Sequence, residues 1–107
     1  MTRLEFTKKI THLILRMIDE GEDPLLDYVK RSDQEQAQLH YAGKSECDGH
    51  IKISQHQRGK AADIYFFNHN YKSMIGPPQK GHYYWHTVWE TMGGKPMISW
   101  DQGHFEG

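Results

Sequence analysis

The chain has 107 residues, 36% of them hydrophobic and 25% charged, the balance expected of one compact soluble domain with a modest core. A formal net charge of −1 gives no electrostatic case for a nucleic-acid partner, and no basic run marks an anionic membrane surface. One cysteine, Cys47, excludes an intramolecular disulfide framework and any multi-thiolate metal site, whereas eight histidines are many for so short a chain.

In chain order, Thr2 and Glu5 fit a capping box, in which each side chain satisfies a free N–H of the first turn. Phe6, Ile10, Leu13, Ile14, Met17 and Ile18 then recur at the spacing of an amphipathic helix, with Gly21 placed to end it in a left-handed conformation. Charged residues interrupt the apolar positions of this N-terminus and no small-residue cleavage site follows, so no secretory signal is expected and the chain reads as cytoplasmic when synthesised. No stretch approaches the ~18–20 apolar residues that span a bilayer. Pro24 to Val29 reads as a turn into a short extended piece. Ser32 with Glu35 makes a second capping box, opening a helix that ends near Gly43, and Lys44 to His50 reads as a loop.

Ile51 and Ile53 alternate with polar residues, as in a strand. Ala61 to Phe67 is a clearer strand, with Ala62, Ile64 and Phe66 on one face and Ala61, Asp63, Tyr65 and Phe67 on the other. Asn68 to Gly81 is turn-rich. Trp85, Val88, Trp89 and Met92 restore helical spacing until Gly93-Gly94, Pro96 to Trp100 predicts a strand, and Asp101 to Phe105 turns into a last short one. Helices that precede and interrupt a run of strands predict a single α+β domain over 1–107, a small antiparallel sheet flanked by helices.

The segment Ser54-Gln-His56-Gln-Arg-Gly59-Lys-Ala61-Ala-Asp63 is the most informative. Zinc accepts imidazole nitrogen and carboxylate oxygen at about 2.0–2.2 Å, and a catalytic site leaves a position open for water. A histidine before a strand and an aspartate inside it can converge if the chain turns between them, and Gly59 supplies backbone freedom for that turn. Ala61 and Ala62 keep bulk away, and Asp63 would face an open cleft, away from Ile64 and Phe66. By itself the His56–Asp63 pair does not specify a metal site.

The whole string Ser-x-His-x-x-Gly-x-Ala-x-Asp resembles the zinc motif of the D-alanyl-D-alanine carboxypeptidase and L-alanyl-D-glutamate endopeptidase family, matched at Ser54, His56, Gly59, Ala61 and Asp63. That family includes phage endolysins and vancomycin-resistance dipeptidases and shares the Hedgehog/DD-peptidase fold. The resemblance implies that His56 and Asp63 are zinc ligands. Its third ligand is a histidine near the C-terminus, three residues after a carboxylate, which points to His104 and, in Asp101-Gln-Gly-His104-Phe-Glu106, to the endolysin-like branch. Asp101 is then implied as the catalytic acid/base: zinc lowers the pKa of its water toward ~7, and a nearby carboxylate can take the proton and pass it to the leaving amine. Arg31-Ser32-Asp-Gln-Glu-Gln36 resembles the family's Arg-Ser helix start, implying that Arg31 binds the developing oxyanion with its permanently charged guanidinium. A short segment between Ser73 and Trp100 departs from longer members.

The function these features lead us to expect is zinc-dependent hydrolysis of a peptide bond in bacterial peptidoglycan, by an endopeptidase or a carboxypeptidase, as in a phage or prophage lysis enzyme. The expected partner is a stem peptide or other wall-derived peptide, met by a monomer without stable membrane association. The alternative is a non-catalytic zinc-binding module that recognises wall peptides or a protein. A second cluster, His82, His86 and Glu90 at i, i+4 and i+8, competes for a metal. Trp85, Val88, Trp89 and Met92 claim the buried face of that helix, however, so the cluster is expected to flank it or lie exposed, and the His-Glu-x-x-His form is absent. Tyr65 and Trp100 are candidates for substrate contact.

Overall fold

The computed structural model describes residues 1–27, 58–72 and 74–107. Among these residues the chain is a small α+β domain of two helices and a small antiparallel sheet. The proposed helix from Ser32 to Gly43, the loop to His50, the strand around Ile51 and Ile53, and the site residues Arg31 and His56 lie outside the described residues. Among the described residues no helix is long and apolar enough to cross a membrane.

Helix α1 spans Arg3–Asp19 and opens on the expected capping box. Glu5 N donates to Thr2 Oγ1 at 3.1 Å, and Thr2 N to Glu5 Oε1 at 3.3 Å. Phe6, Ile10, Leu13 and Met17 are buried, whereas Ile18, at the edge of the same stripe, is 54% exposed. Gly21 ends the helix at φ +91°, and the chain returns as strand β1, Pro24–Leu26.

Strand β2, Ala61–Phe67, organises the sheet. β1 pairs antiparallel with Ile64–Phe66. Strand β3, only Ile75–Gly76, pairs with Phe66–Phe67 inside the segment that the sequence marks as turns alone. Two residues carry no periodicity to read. They become a strand because Asn68 N donates to Met74 O at 2.8 Å, closing a hairpin that brings the chain back to β2. Strand β4, His104–Glu106, pairs with Ala61–Asp63. Asp63 O accepts from Asp27 N, and Ile64 N donates to Gly103 O, each at 2.8 Å. Successive residues of a strand turn their backbone groups to opposite edges, so β1 and β4 flank β2 on opposite sides.

Helix α2 spans His82–Thr91, and Trp85, Val88 and Trp89 are buried as their spacing predicts. The companion expectation needs correction: His86 does not flank this face but belongs to it, at 1% exposure. Its ring stacks on Phe105 of β4 with centroids 4.1 Å apart and planes within 2°. The buried face is wider than the tryptophan stripe because β4 supplies a second aromatic surface beneath it. A second correction concerns Pro96 to Trp100, which forms no strand. Ile98 makes a single bridge to Asp101, whose N–H donates back to Ile98 O at 3.0 Å. The segment pairs with itself and reverses direction instead of extending along a neighbour.

The core unites one face of β2 (Ala62, Ile64, Phe66) with Phe105, the α1 stripe and the α2 tryptophans. Phe6 meets Trp89 edge to face, centroids 5.7 Å apart. Each large side chain so buried contributes roughly 1.5–3 kcal/mol, enough to fix β2 and β4 as a firm base for whatever stands on their other face.

Candidate metal centre

That other face is set by register. Asp63 lies directly opposite His104 in the β2–β4 pair, and alternation that sends Ala62 and Phe105 into the core sends Asp63, His104 and Glu106 the other way. Asp63 Oδ1 is 3.2 Å from His104 Nδ1. Asp101 arrives from the turn before β4, where His104 N donates to Asp101 O at 3.1 Å, and its Oδ2 stands 3.9 Å from His104 Nδ1. Glu106 Oε1 lies 3.5 Å from His104 Nε2 on the opposite side of the ring. One imidazole is therefore bordered by three carboxylates.

Two glycines allow this convergence. Gly59 has φ +69°, the left-handed conformation expected of a turn leading into β2. A Cβ on Gly103 would lie 3.0 Å from Ile64 O, so only glycine lets the Asp101–His104 turn press so closely on β2.

Asp63, Asp101 and His104 offer one ligand atom each, all within 4.8 Å of one another, and could hold a metal ion. The group fits such an ion on its chemistry: one imidazole nitrogen and two carboxylate oxygens, with Asp63 only 6% exposed, form a donor set of the kind that borderline divalent cations accept. Among the described residues the His82–His86–Glu90 line forms no comparable cluster. Burial pushes the His104 imidazole down, but the hydrogen bond and charge of Asp63, with Asp101 and Glu106, outweigh it and raise its pKa above the ordinary histidine value. The carboxylates that favour the proton on His104 would also favour a bound cation.

Beside the cluster opens a cleft of about 530 Å³, lined by Tyr65, Gly76, His82, Trp100, Asp101 and Gly103 among others. Trp100 projects from the tip of its turn at 83% exposure, and Tyr65 is 40% exposed. Asp63 faces away from the core as expected, yet it is buried against His104; Asp101, which is exposed, brings the cluster to the cleft wall.

Of the residues singled out in the sequence, Asp63, Asp101 and His104 come together, Tyr65 and Trp100 line the adjoining cleft, and His56 and Arg31 lie outside the described residues. Glu106 has no role assigned by the sequence. Its signal is there nonetheless: residues i and i+2 on a strand share a face, which puts it beside His104. No protein-family model matches the chain, and no curated protein matches it.

Proposed function

We propose that the protein is a zinc-dependent hydrolase of a peptide bond in bacterial peptidoglycan, of the kind found in phage or prophage lysis enzymes. The observation that supports it most is the placement of Asp63, Asp101 and His104 in one cluster at the edge of a cleft, three residues that the resemblance to D-alanyl-D-alanine carboxypeptidases and L-alanyl-D-glutamate endopeptidases singles out. Asp63 and His104 would hold zinc from facing strands, with His56 as the further ligand that the resemblance implies. Zinc bound there would supply Lewis acidity toward the scissile carbonyl and would lower the pKa of water toward ~7. Asp101 takes the proton of the attacking water and returns it to the leaving amine, a role for which its position on the cleft wall suits it. Arg31 neutralises the developing oxyanion. A binding module would need the ligands but no proton carrier at the cleft, so Asp101 favours the enzyme.

The test is to incubate purified protein and zinc with peptidoglycan and to identify new peptide termini by mass spectrometry. Cleavage that stops on chelation and returns with zinc supports the proposal; intact stem peptides at saturating zinc would refute it. Arg31→Ala should keep zinc while lowering turnover by ~10²–10³, as loss of one oxyanion donor does.

A further inference from the structure

We propose that His86 is a positioning residue for the metal centre: its Nε2–H, bonded to the Gln102 carbonyl, sets the turn that carries Asp101 and His104. The inference rests on the proposed reading of Asp63 and His104 as metal ligands with Asp101 beside them as proton carrier.

Gln102 and Gly103 are all that separates Asp101 from His104, so the relative position of the two side chains depends on how this short turn is held. Its carbonyls are taken one by one. Asp101 O accepts from His104 N at 3.1 Å, and Gly103 O from Ile64 N at 2.8 Å, both backbone contacts. The middle carbonyl, Gln102 O, is bonded by a side chain: His86 Nε2, at 2.7 Å. The same imidazole lies flat on Phe105, so it grips the chain on both sides of His104, two residues before it and one after. The Gln102 backbone also pulls on the imidazole of His82, one turn earlier on α2, against the effect of its burial.

The burial of His86 argues that the bond, not the bulk, is what the position requires. At 1% exposure its Nδ1 is enclosed with no hydrogen-bond partner among the described residues, an arrangement that costs stability. Phenylalanine would keep the stack on Phe105 and avoid that cost, but it could not donate to Gln102. Burial pushes the His86 pKa below the ordinary value, against the pull of the Gln102 carbonyl, which leaves a neutral ring with one donor for one acceptor.

The experiment begins with the metal-free protein, so that it does not depend on zinc. Nitrogen-15 NMR should find His86 as the Nε2–H tautomer; an Nδ1–H tautomer or a charged ring at neutral pH would overturn the proposal without any variant. His86→Phe should stay folded, while the Ile64 and His104 amides exchange with solvent roughly tenfold faster. Zinc affinity, measured by calorimetry, should fall about tenfold, as when a partner behind a metal ligand is lost. His86→Gln, which can carry an amide donor toward the Nε2 position, should recover part of both. If His86→Phe and the double variant His82→Phe/His86→Phe keep wild-type exchange and affinity, the ring only fills space and the proposal is wrong. If His86→Phe speeds exchange but the wild-type protein takes up no zinc, the positioning role stands and the metal reading fails.

Discussion

At the residue scale, the site turns on one imidazole among carboxylates. A proton and any metal bound at the site would compete for His104, whose neighbours favour the proton more than water does. Because the folded-state pKa is raised, the proton-linked contribution to stability is fully present below the unfolded histidine value and is lost as pH rises through the raised one. Zinc can take the nitrogen only as the proton leaves, so zinc affinity should climb across that same window, beginning to fail at a higher pH than for an unperturbed histidine. Competition titration with a coloured chelator over pH 5–9 checks this; an affinity flat across the range would show that His104 is not a ligand. Trp100 calls for a different measurement. At 83% exposure its removal should leave stability within about 0.5 kcal/mol, while Trp100→Ala should raise KM by roughly tenfold if the indole contacts substrate; an unchanged KM would remove it from the binding cleft. The residue types and spacing of Asp63, Asp101 and His104 alone do not specify a site; the three are legible in the sequence only through the resemblance of the strings around them to a zinc-peptidase motif. His86 is not: beside Trp85, an imidazole reads as the polar margin of a helix, and only Phe105, a distant partner in the chain, makes its place an interior one.

At the scale of elements, legibility follows the length of the pattern. β2 runs for seven residues and the α1 stripe from Phe6 to Met17, long enough for local sequence to reveal both. β3 and the Ile98–Asp101 turn are defined by what they pair with, which local sequence does not contain. The joint between the helices is of the same kind. Glu22, 3% exposed, accepts from Gln79 N at 2.7 Å, Lys80 N at 3.1 Å and Trp85 Nε1 at 2.8 Å. It thus ties the end of α1 to the turn that opens α2, where Gly81 offers no side-chain cap. Glu22→Ala leaves three donors without an acceptor and should cost about 3 kcal/mol by urea denaturation. Glu22→Gln, which keeps one acceptor, should cost less. Equal, negligible losses would mean that water serves these donors as well as the carboxylate does.

At the scale of the whole molecule, the metal would join segments 41 residues apart, β2 and β4, that meet only in the folded chain. Zinc should therefore stabilise by mass action, about 2.7 kcal/mol at a hundredfold excess over Kd, raising Tm on the order of 10 °C, and chelation should reverse the gain. A melting curve indifferent to zinc and chelator would leave the cluster an ordinary ion-pair network. The α+β architecture is open to sequence reading because helical and strand periods occupy separate stretches. The chemistry is open only through residues that gather at one strand edge, since composition and charge point to no reaction. The measurement that bears most directly on that chemistry compares zinc content and peptidoglycan cleavage on the same preparations of wild type, His104→Ala and Asp101→Asn. His104→Ala should lose both metal and activity, whereas Asp101→Asn, which keeps the side-chain size but cannot take a proton, should retain nearly full zinc and lose turnover by on the order of 10²–10⁴. Loss of zinc in Asp101→Asn as complete as in His104→Ala would make Asp101 a ligand, and full activity in either variant would contradict the mechanism outright.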